Sequence, residues 1–583
     1  MSGKLDYKTV FRRLENFLVV LTLAGVVFAY MFYAFDTPEY FRNIYSFMTR
    51  IFLLYFLFTA SVKFIMVENR IEYLKYAWSE VLLAFFVFVY LTSTLFLPFL
   101  YGMMEGRLIN ADSIGHLLLI IYLVFNIVNS IFKGRHQDLL DLKDLKPVQM
   151  LALSFIVVIF LGTLFLRLPQ AAADGARMPF IDALFTITSA TCVTGLTVKD
   201  TAVYFTPFGQ TVILVFIQIG GLGIMTLSSF FALIFMGKMG VRSKVTMKDV
   251  LSVDSSIDLY YLLKTIVLYT FVIEFTGALL LGARWYSYGF GLWRSAALGI
   301  FHSVSSFCNA GFSLFSNNLM DFDGDLAVNL PVMLLVLLGG LGFSVLFNIR
   351  QLLRPSDGKR PKMQVQTGIV IISTALLIIT GAVLFLLLEN MNVLKGMPLG
   401  KKVLVSFFQS VTPRTAGYNT VDMARIYPVT SFIIIILMCI GASPGSTGGG
   451  FKTTTFVLLL AMIRDVLLGR DEVCIYKRSV PWSTVNRAVA LIIIYMGLVF
   501  IFSFLMLIID DFDILDTFFE VCSALGTVGL SRGITPALSS AGKMIMIAAM
   551  YIGRIGPLTF ALAIRSKEDK ILIKYPVENM MIG

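Results

Sequence analysis

The sequence predicts an all-α polytopic membrane protein, built from four repeats of long helix, short helix and second helix after an N-terminal four-helix bundle. Three observations carry that expectation. Of 583 residues, 57% are hydrophobic and 14% charged, and mean hydropathy is +0.84; soluble domains carry about 25% charge. About twelve apolar runs approach the roughly 20 residues that a bilayer helix needs, whereas a transmembrane β-barrel shows short alternating segments. Four times, finally, a Phe lies ten residues before a Gly: Phe185 and Gly195, Phe301 and Gly311, Phe407 and Gly417, Phe519 and Gly529. The glycines are spaced by 116 residues (195 to 311), 106 (311 to 417) and 112 (417 to 529).

Residues 1–147 hold apolar runs near 17–35, 46–66, 79–101 and 114–132, and a charged linker, 133–147, follows. A voltage sensor needs Arg or Lys repeated along one helix. No run here has that pattern, so the expectation is a packing or partner-docking bundle. The polar start, MSGKLDYKTVFRRLENF, lacks the pattern of a cleavable leader.

From residue 148 onward the fourfold pattern occupies about 148–250, 251–363, 364–480 and 481–575, with a short C-terminal tail to 583. Long helices are expected near 149–167, 260–283, 367–389 and 485–510, and short apolar helices near 180–191, 297–308, 402–412 and 515–525. Segments of 10–14 apolar residues are too short to span and suit re-entrant helices. Irregular backbone at membrane depth is tolerated only where it is buried in protein or lines a water-filled cavity. Four such loops in register therefore predict one pseudo-fourfold central pore.

The net charge of +11 is unevenly placed. Basic clusters begin at Lys4, Lys133, Lys238, Arg350, Arg464 and Arg565, in alternate loops. The positive-inside rule puts all six, and both termini, in the cytoplasm, with the four Gly loops outside. Topology thus accounts for the basic charge, and nucleic acid is not an expected partner. The five cysteines, Cys192, Cys308, Cys439, Cys474 and Cys522, form no Cys-x-x-Cys pair. His116, His136 and His302 are dispersed. No hydrolytic constellation and no dinucleotide-binding unit appears, so neither an enzyme nor an organic cofactor is expected.

The loops read Thr191-Cys192-Val193-Thr194-Gly195, Cys308-Asn309-Ala310-Gly311, Arg414-Thr415-Ala416-Gly417 and Gly526-Thr527-Val528-Gly529. None carries Asp or Glu, so a carboxylate ring is excluded. Rings of backbone carbonyls replace an ion's water shell, and glycine reaches the positive φ that such a ring demands. Bare carbonyls favour a large monovalent cation over a divalent one.

With TCVTGL, CNAGF, RTAGYNT and TVGLS in place, the chain resembles the Ktr/Trk/HKT superfamily of potassium transporters, and most of all its Ktr-type potassium-translocating membrane subunit. The likeness runs from about Pro147 to Gly583 and leaves residues 1–147 unassigned. It implies a homodimer in the cytoplasmic (inner) membrane among lipid, with a separate cytosolic nucleotide-binding ring as regulatory partner. It implies potassium as the transported ion, held around Thr194, Asn309, Thr415 and Thr527, because Gly195 stands where sodium-preferring members carry Ser. Sodium remains the second candidate ion, as preferred or coupled cargo on the same fold. A membrane sensor with a vestigial pore is the alternative from another class. Val577, in Lys574-Tyr575-Pro576-Val577-Glu578, stands where an acidic tail residue is common.

Glycines recur after each loop: Gly220–Gly223, Gly339–Gly342, residues 441–450 and Gly553–Gly556. Such glycines either let helices approach closely or bend a cavity wall. The third stretch, Gly441-Ala442-Ser443-Pro444-Gly445-Ser446-Thr447-Gly448-Gly449-Gly450, cannot be a plain helix. It resembles the family's intramembrane gating loop, with Gly441, Gly445, Gly448, Gly449 and Gly450 as its hinges. Its likeness to a phosphate-binding loop fails, because Phe451 interrupts the motif and no strand precedes it. Arg554 is the intramembrane charge, and the resemblance places it in the constriction beside that loop. Arg414 reads as a scaffold hydrogen-bonding its own loop and not as an ion ligand, and Glu274 as an intrabundle hydrogen-bonding group, with a coupling-ion site as the alternative.

Overall fold

The computed structural model describes residues 147–236, 259–353 and 363–557 with Phe560. Nearer the N-terminus it describes Met48, Arg50, Ile51, residues 53–58, Ser61, Ala84, Val87 and Phe88. The chain divides into two units, Met1–Asp144 and Leu145–Gly583. In the first, the described residues are helical; Leu53 and Phe56, one turn apart, are buried, while Ile51, Leu54 and Phe58 are exposed. The rest of the expected N-terminal bundle lies outside the described residues. So do the basic clusters near 238–248 and 565–574, and the tail at 574–578.

The second unit is helical with one small hairpin. Its elements are α1 (Pro147–Leu166), α2 (Phe180–Thr191), α3 (Pro207–Met236), α4 (Leu259–Ser287), α5 (Leu292–Phe307), α6 (Leu326–Leu341) and α7 (Phe343–Leu353). They continue as α8 (Val365–Glu389), α9 (Leu399–Val411), α10 (Pro428–Cys439), α11 (Thr453–Leu467), β1 (Val473–Ile475), β2 (Arg478–Val480), α12 (Trp482–Ile509), α13 (Ile514–Leu525) and α14 (Ser540–Ile555).

Local chemistry sets the helix starts. Asp325, Asp513 and Ser539 accept from the N–H groups of Ala327 (2.9 Å), Leu515 (3.0 Å) and Gly542 (3.0 Å), capping α6, α13 and α14. Pro428 opens α10, where its missing N–H costs nothing. Pro179, Pro398 and Pro481 stand just ahead of α2, α9 and α12.

Among the described residues three helices are long and apolar enough to span a membrane: Thr265–Ser287, Val365–Glu389 and Trp482–Ile509. A fourth span arises if α6 and α7, bent by 98°, count as one. The long helices turn large apolar side chains outward, among them Phe275, Leu387 and Phe504. In water that surface would be a liability; against lipid tails it is the stable arrangement. The short helices α2, α5, α9 and α13 lie inside. Packing relates α3 to α5, α6 to α9, α10 to α13 and α14 to α2, so the succession of contacts returns to its start.

The recurring glycines behave differently from one another. No break occurs at Gly220–Gly223, where α3 runs straight through. The glycines there serve close contact: a Cβ on Gly220 would overlap the Thr191 carbonyl, and one on Gly221 would lie 2.9 Å from Cys308 Cβ. At Gly342, φ is 82° and the helix breaks; at Gly556, φ is 97° and α14 ends.

The hairpin β1–β2, antiparallel with Val473 opposite Val480, has no counterpart in the sequence reading. Its turn residues Tyr476 and Lys477 take φ of 48° and 61°. It is tied to α11 by buried Asp465, which accepts from Arg464 (2.9 and 3.0 Å), Arg470 (3.1 Å) and the Cys474 N–H (2.8 Å). Replacing Asp465 with Ala removes the shared acceptor of Arg464, Arg470 and the Cys474 N–H that ties the hairpin to α11. The expected result is a lower melting temperature of the detergent-solubilised protein. Arg425→Ala, which removes only an exposed pair with Asp422, is expected to leave that temperature unchanged.

Candidate functional site

Each short helix ends in a loop whose backbone follows one rule. Val193, Asn309, Thr415 and Thr527, two residues before the loop glycines, have φ of 56°, 60°, 73° and 48°. Gly195, Gly311, Gly417 and Gly529 have φ of 94°, 70°, 77° and 93°. A non-glycine residue in this left-handed region costs roughly 1–2 kcal/mol, so four at matching positions are held there by their surroundings. Internal bonds do part of this. The N–H groups of Thr194, Ala310 and Val528 donate to Ser189 O (2.7 Å), Ser305 O (2.7 Å) and Ser523 O (2.8 Å), and Ala416 N–H donates to Thr412 O at 2.9 Å. Ser189 Oγ and Ser523 Oγ accept from Gly195 N–H and Gly529 N–H, each at 3.0 Å.

The glycines meet one another. A Cβ on Gly311 would stand 2.8 Å from Ala416 O and 3.0 Å from Gly417 Cα; one on Gly417 would stand 2.5 Å from Val528 O and 3.2 Å from Gly529 Cα. On Gly529 it would strike Thr194 O and lie 3.0 Å from Gly195 Cα, and on Gly195 it would strike Ala310 O and lie 3.1 Å from Gly311 Cα. Loop one thus abuts two, two abuts three, three abuts four and four abuts one. At the same level Tyr418 Oη donates to Phe312 O at 3.0 Å, bracing loop three against loop two.

The segment 441–450 lies against these loops. A Cβ on Gly448 would overlap Thr415 Oγ1, and one on Gly449 would overlap Thr527 Oγ1 and approach Gly526 O at 2.9 Å. Gly445 and Gly450 take φ of 75° and 66°. The segment is closed at its ends, where Gly441 N–H donates to Phe451 O at 3.0 Å, and pinned at its middle, where Phe343 N–H donates to Gly445 O at 3.1 Å. Arg554 is buried and pairs with no carboxylate among the described residues. Its Nη1 donates to Thr447 O and its Nη2 to Gly220 O, joining the segment to α3. Lys452 Nζ donates to Gly448 O at 2.6 Å, a second cation on the same loop. The sequence reading weighs Lys452 only within the phosphate-loop likeness that it rejects, although its place two residues after the glycine run was the available signal.

The predicted site residues are buried, except Gly445 and Gly450, which are half-buried. The four side chains expected around potassium do not share one register, however. Asn309, Thr415 and Thr527 stand two residues before their glycines and Thr194 one. Asn309 Oδ1 accepts from Thr415 Oγ1 at 3.3 Å while its amide nitrogen donates to Ser306 O (2.9 Å) and Val336 O (3.2 Å), and Thr194 Oγ1 and Thr527 Oγ1 have no partner among the described residues. Arg414 makes no side-chain hydrogen bond to its loop among the described residues, and its Nη1 lacks a partner. Cys192 and Cys308 close α2 and α5, their N–H groups donating to Thr188 O (2.7 Å) and Val304 O (2.9 Å). The five cysteines are free, and no group of metal-ligating side chains occurs among the described residues. His302 is buried, its ring bonded to Leu298 O and Ser313 Oγ.

Residues 120–572 match the profile of the TrkH family, described as cation transport proteins. The chain is 38% identical over 442 residues to the Ktr system potassium uptake protein B of Bacillus subtilis, covering 75% of this chain and 97% of that protein. It is 36% identical over 452 residues to the potassium/sodium uptake protein NtpJ of Enterococcus hirae, covering 76% and 98%. The crystal structure of the potassium transporter TrkH from Vibrio parahaemolyticus superposes with a TM-score of 0.58 at 20% identity, covering 83% of this chain and 97% of that one. That likeness supports the helical fold.

Close approach at the glycines is directly testable. Gly339→Ala places a methyl on the Phe307 carbonyl and is expected to cost several degrees of melting temperature. Gly497→Ala in α12, where nothing lies within 4 Å, is expected to be neutral or to stabilise by up to about 1 kcal/mol.

Proposed function

Because the chain belongs to the TrkH family of cation transport proteins, and so to transporters and not to enzymes, we propose that it takes up potassium through a central pore. In this reading each long helix, short helix, loop and following helix is one of four repeats about a pseudo-fourfold axis, and the four glycine loops form the selectivity filter. One observation carries it: the cyclic abutment of Gly195, Gly311, Gly417 and Gly529, each against the carbonyl of the next loop. Loops that merely turned would have no reason to meet. Carbonyl oxygens crowded at one level replace an ion's hydration shell. The inside-negative potential then draws the cation inward, at about 2.3 kcal/mol per charge per 100 mV.

The segment 441–450 acts as the gate. It sits against Thr415 and Thr527, and Arg554 holds it closed through Thr447 O while its own charge repels a cation entering the constriction. Lys452 on Gly448 O adds a second clasp. Opening requires these backbone carbonyls to leave their cations. A cytosolic nucleotide-binding subunit acting on a homodimer would supply the work, with both termini of the chain on its side of the membrane. Gly195 supports potassium over sodium, and the name of the Enterococcus relative keeps sodium as the cargo to compare.

In liposomes holding the purified protein, potassium and rubidium are expected to enter much faster than sodium. Equal rates for all three would contradict the filter. Gly195→Ser pushes a side chain into the Ala310 carbonyl and is expected to lower potassium-over-sodium preference; unchanged relative permeability would remove Gly195 from the filter. Deletion of residues 445–449 is expected to raise basal potassium flux, and a folded deletion protein with lower flux would refute the gate.

A further inference from the structure

Glu274 lies mid-way along α4 and is 4% exposed. Packing does not ask for a carboxyl there. The Glu274 carbonyl accepts from Ser303 Oγ at 2.6 Å, and Gly277, three residues on, faces the same Ser303. In α8 the same arrangement recurs with Ile378: its carbonyl accepts from Ser410 Oγ at 2.7 Å, and Gly381 faces Ser410. In α1 the glycine is Gly162, facing Ile187, and the residue three before it is Ile159. Two of three matching positions carry isoleucine and one carries glutamate. An ionisable group at membrane depth is costly and marks function.

The carboxyl has unusual company. Gln218 Nε2, from α3, donates to Glu274 Oε2 at 3.2 Å. Cys308 Sγ lies 3.8 Å from Glu274 Oε1 and 3.6 Å from Gln218 Oε1. No cation pairs with it among the described residues, whereas buried Asp182 and Asp465 pair with Lys543 and Arg464. Cys308 ends α5 and immediately precedes Asn309, the strained residue of loop two, whose side chain reaches Thr415 in loop three. Two residues beyond Gln218, the Gly220 carbonyl accepts from Arg554.

We propose that Gln218, Glu274 and Cys308 form a brace behind the second loop, through which Glu274 acts as a positioning residue for ion discrimination. Glu274 does not touch the ion. It holds Cys308, and Cys308 fixes where Asn309, Ala310 and Gly311 place their carbonyls. The inference rests on reading the four loops as a filter. It also explains why α3 stays helical past Gly220: the same turn backs the brace and anchors the gating arginine.

The test uses the full-length protein in liposomes, measuring KM and Vmax for potassium and for sodium. Glu274→Ala is expected to reduce potassium-over-sodium preference about tenfold, the size of one lost buried hydrogen bond, mainly through the KM for potassium. Glu274→Gln, which keeps one acceptor oxygen and the shape and whose new NH2 can be met by the Gln218 amide turned over, is expected to restore most of it. Cys308→Ala should reproduce the loss, and the double variant should be no worse than either single one, because both cut the same brace. A folded Glu274→Ala protein with unchanged preference overturns the inference. So does a change confined to Vmax, which marks a merely structural role, or a failure of Gln to rescue, which marks a charge effect. Should Glu274→Ala not fold, Glu274→Gln and Cys308→Ala decide alone: preference retained by the first and lost by the second supports the brace, and any other pattern overturns it. Wild-type protein without potassium preference defeats the filter reading and the brace with it; normal wild-type preference with unaffected variants defeats the brace only.

Discussion

Four glycines that leave no room for a Cβ are the constraint on which the rest of this molecule depends. Each occupies the left-handed region, and each faces a carbonyl of the next loop at a distance no side chain tolerates. Such an arrangement is unstable in isolation. Crowded carbonyl dipoles repel, and four non-glycine residues in left-handed conformation add strain. It persists because rigid elements over-determine it. The short helices aim their ends at the loops, serine and threonine side chains bond loop backbone, and following helices press glycine faces against the short helices. Gly220 against Thr191 O, Gly339 against Phe307 O and Gly553 against Leu525 O are three instances of one contact.

That contact links the loops to the segment below them. The backs of the short helices and the segment 441–450 touch the same glycine-bearing helices. Thr447 Oγ1 donates to Phe307 O at 3.3 Å, and Ser443 N–H to Gly340 O at 3.0 Å. Arg554 and Lys452 hold it by backbone carbonyls, with no carboxylate paired to either among the described residues. Cation–carbonyl bonds of this kind can be exchanged for others without stranding a buried negative charge, which suits the segment's proposed role as a gate. The embedded carboxyl of Glu274 stands apart, one shell behind the second loop, where an isoleucine fits at two matching sites.

How much of this was legible beforehand depended on range. The apolar helices and the short helices were readable because burial in lipid or protein leaves a composition signal over ten or more residues. The helices observed at Phe180–Thr191 and Ile514–Leu525 were expected near 180–191 and 515–525. Where the signal was a lone glycine, the reading stayed open. Gly220 and Gly342 look alike in sequence, yet one sits inside a straight helix and the other in a 98° bend. The difference lies in which backbone each glycine touches. The hairpin at 473–480 left no trace, since its cause is one buried aspartate eight residues before the first strand. The contact of Lys452 was missed because a lysine after a glycine run usually faces water, and here it folds back on Gly448 O.

The sequence by itself determined a membrane-embedded helical chain, four loops with a shared Phe-to-Gly spacing, and the absence of acidic groups within them. Hydropathy and spacing are local properties, readable along the chain. Only the tertiary structure decided that the four glycines meet in a closed circuit, that Arg554 binds carbonyls instead of a carboxylate, and that Glu274 lies behind Cys308. Those outcomes depend on residues from 34 to 334 positions apart being brought together, and no property of a single segment encodes them.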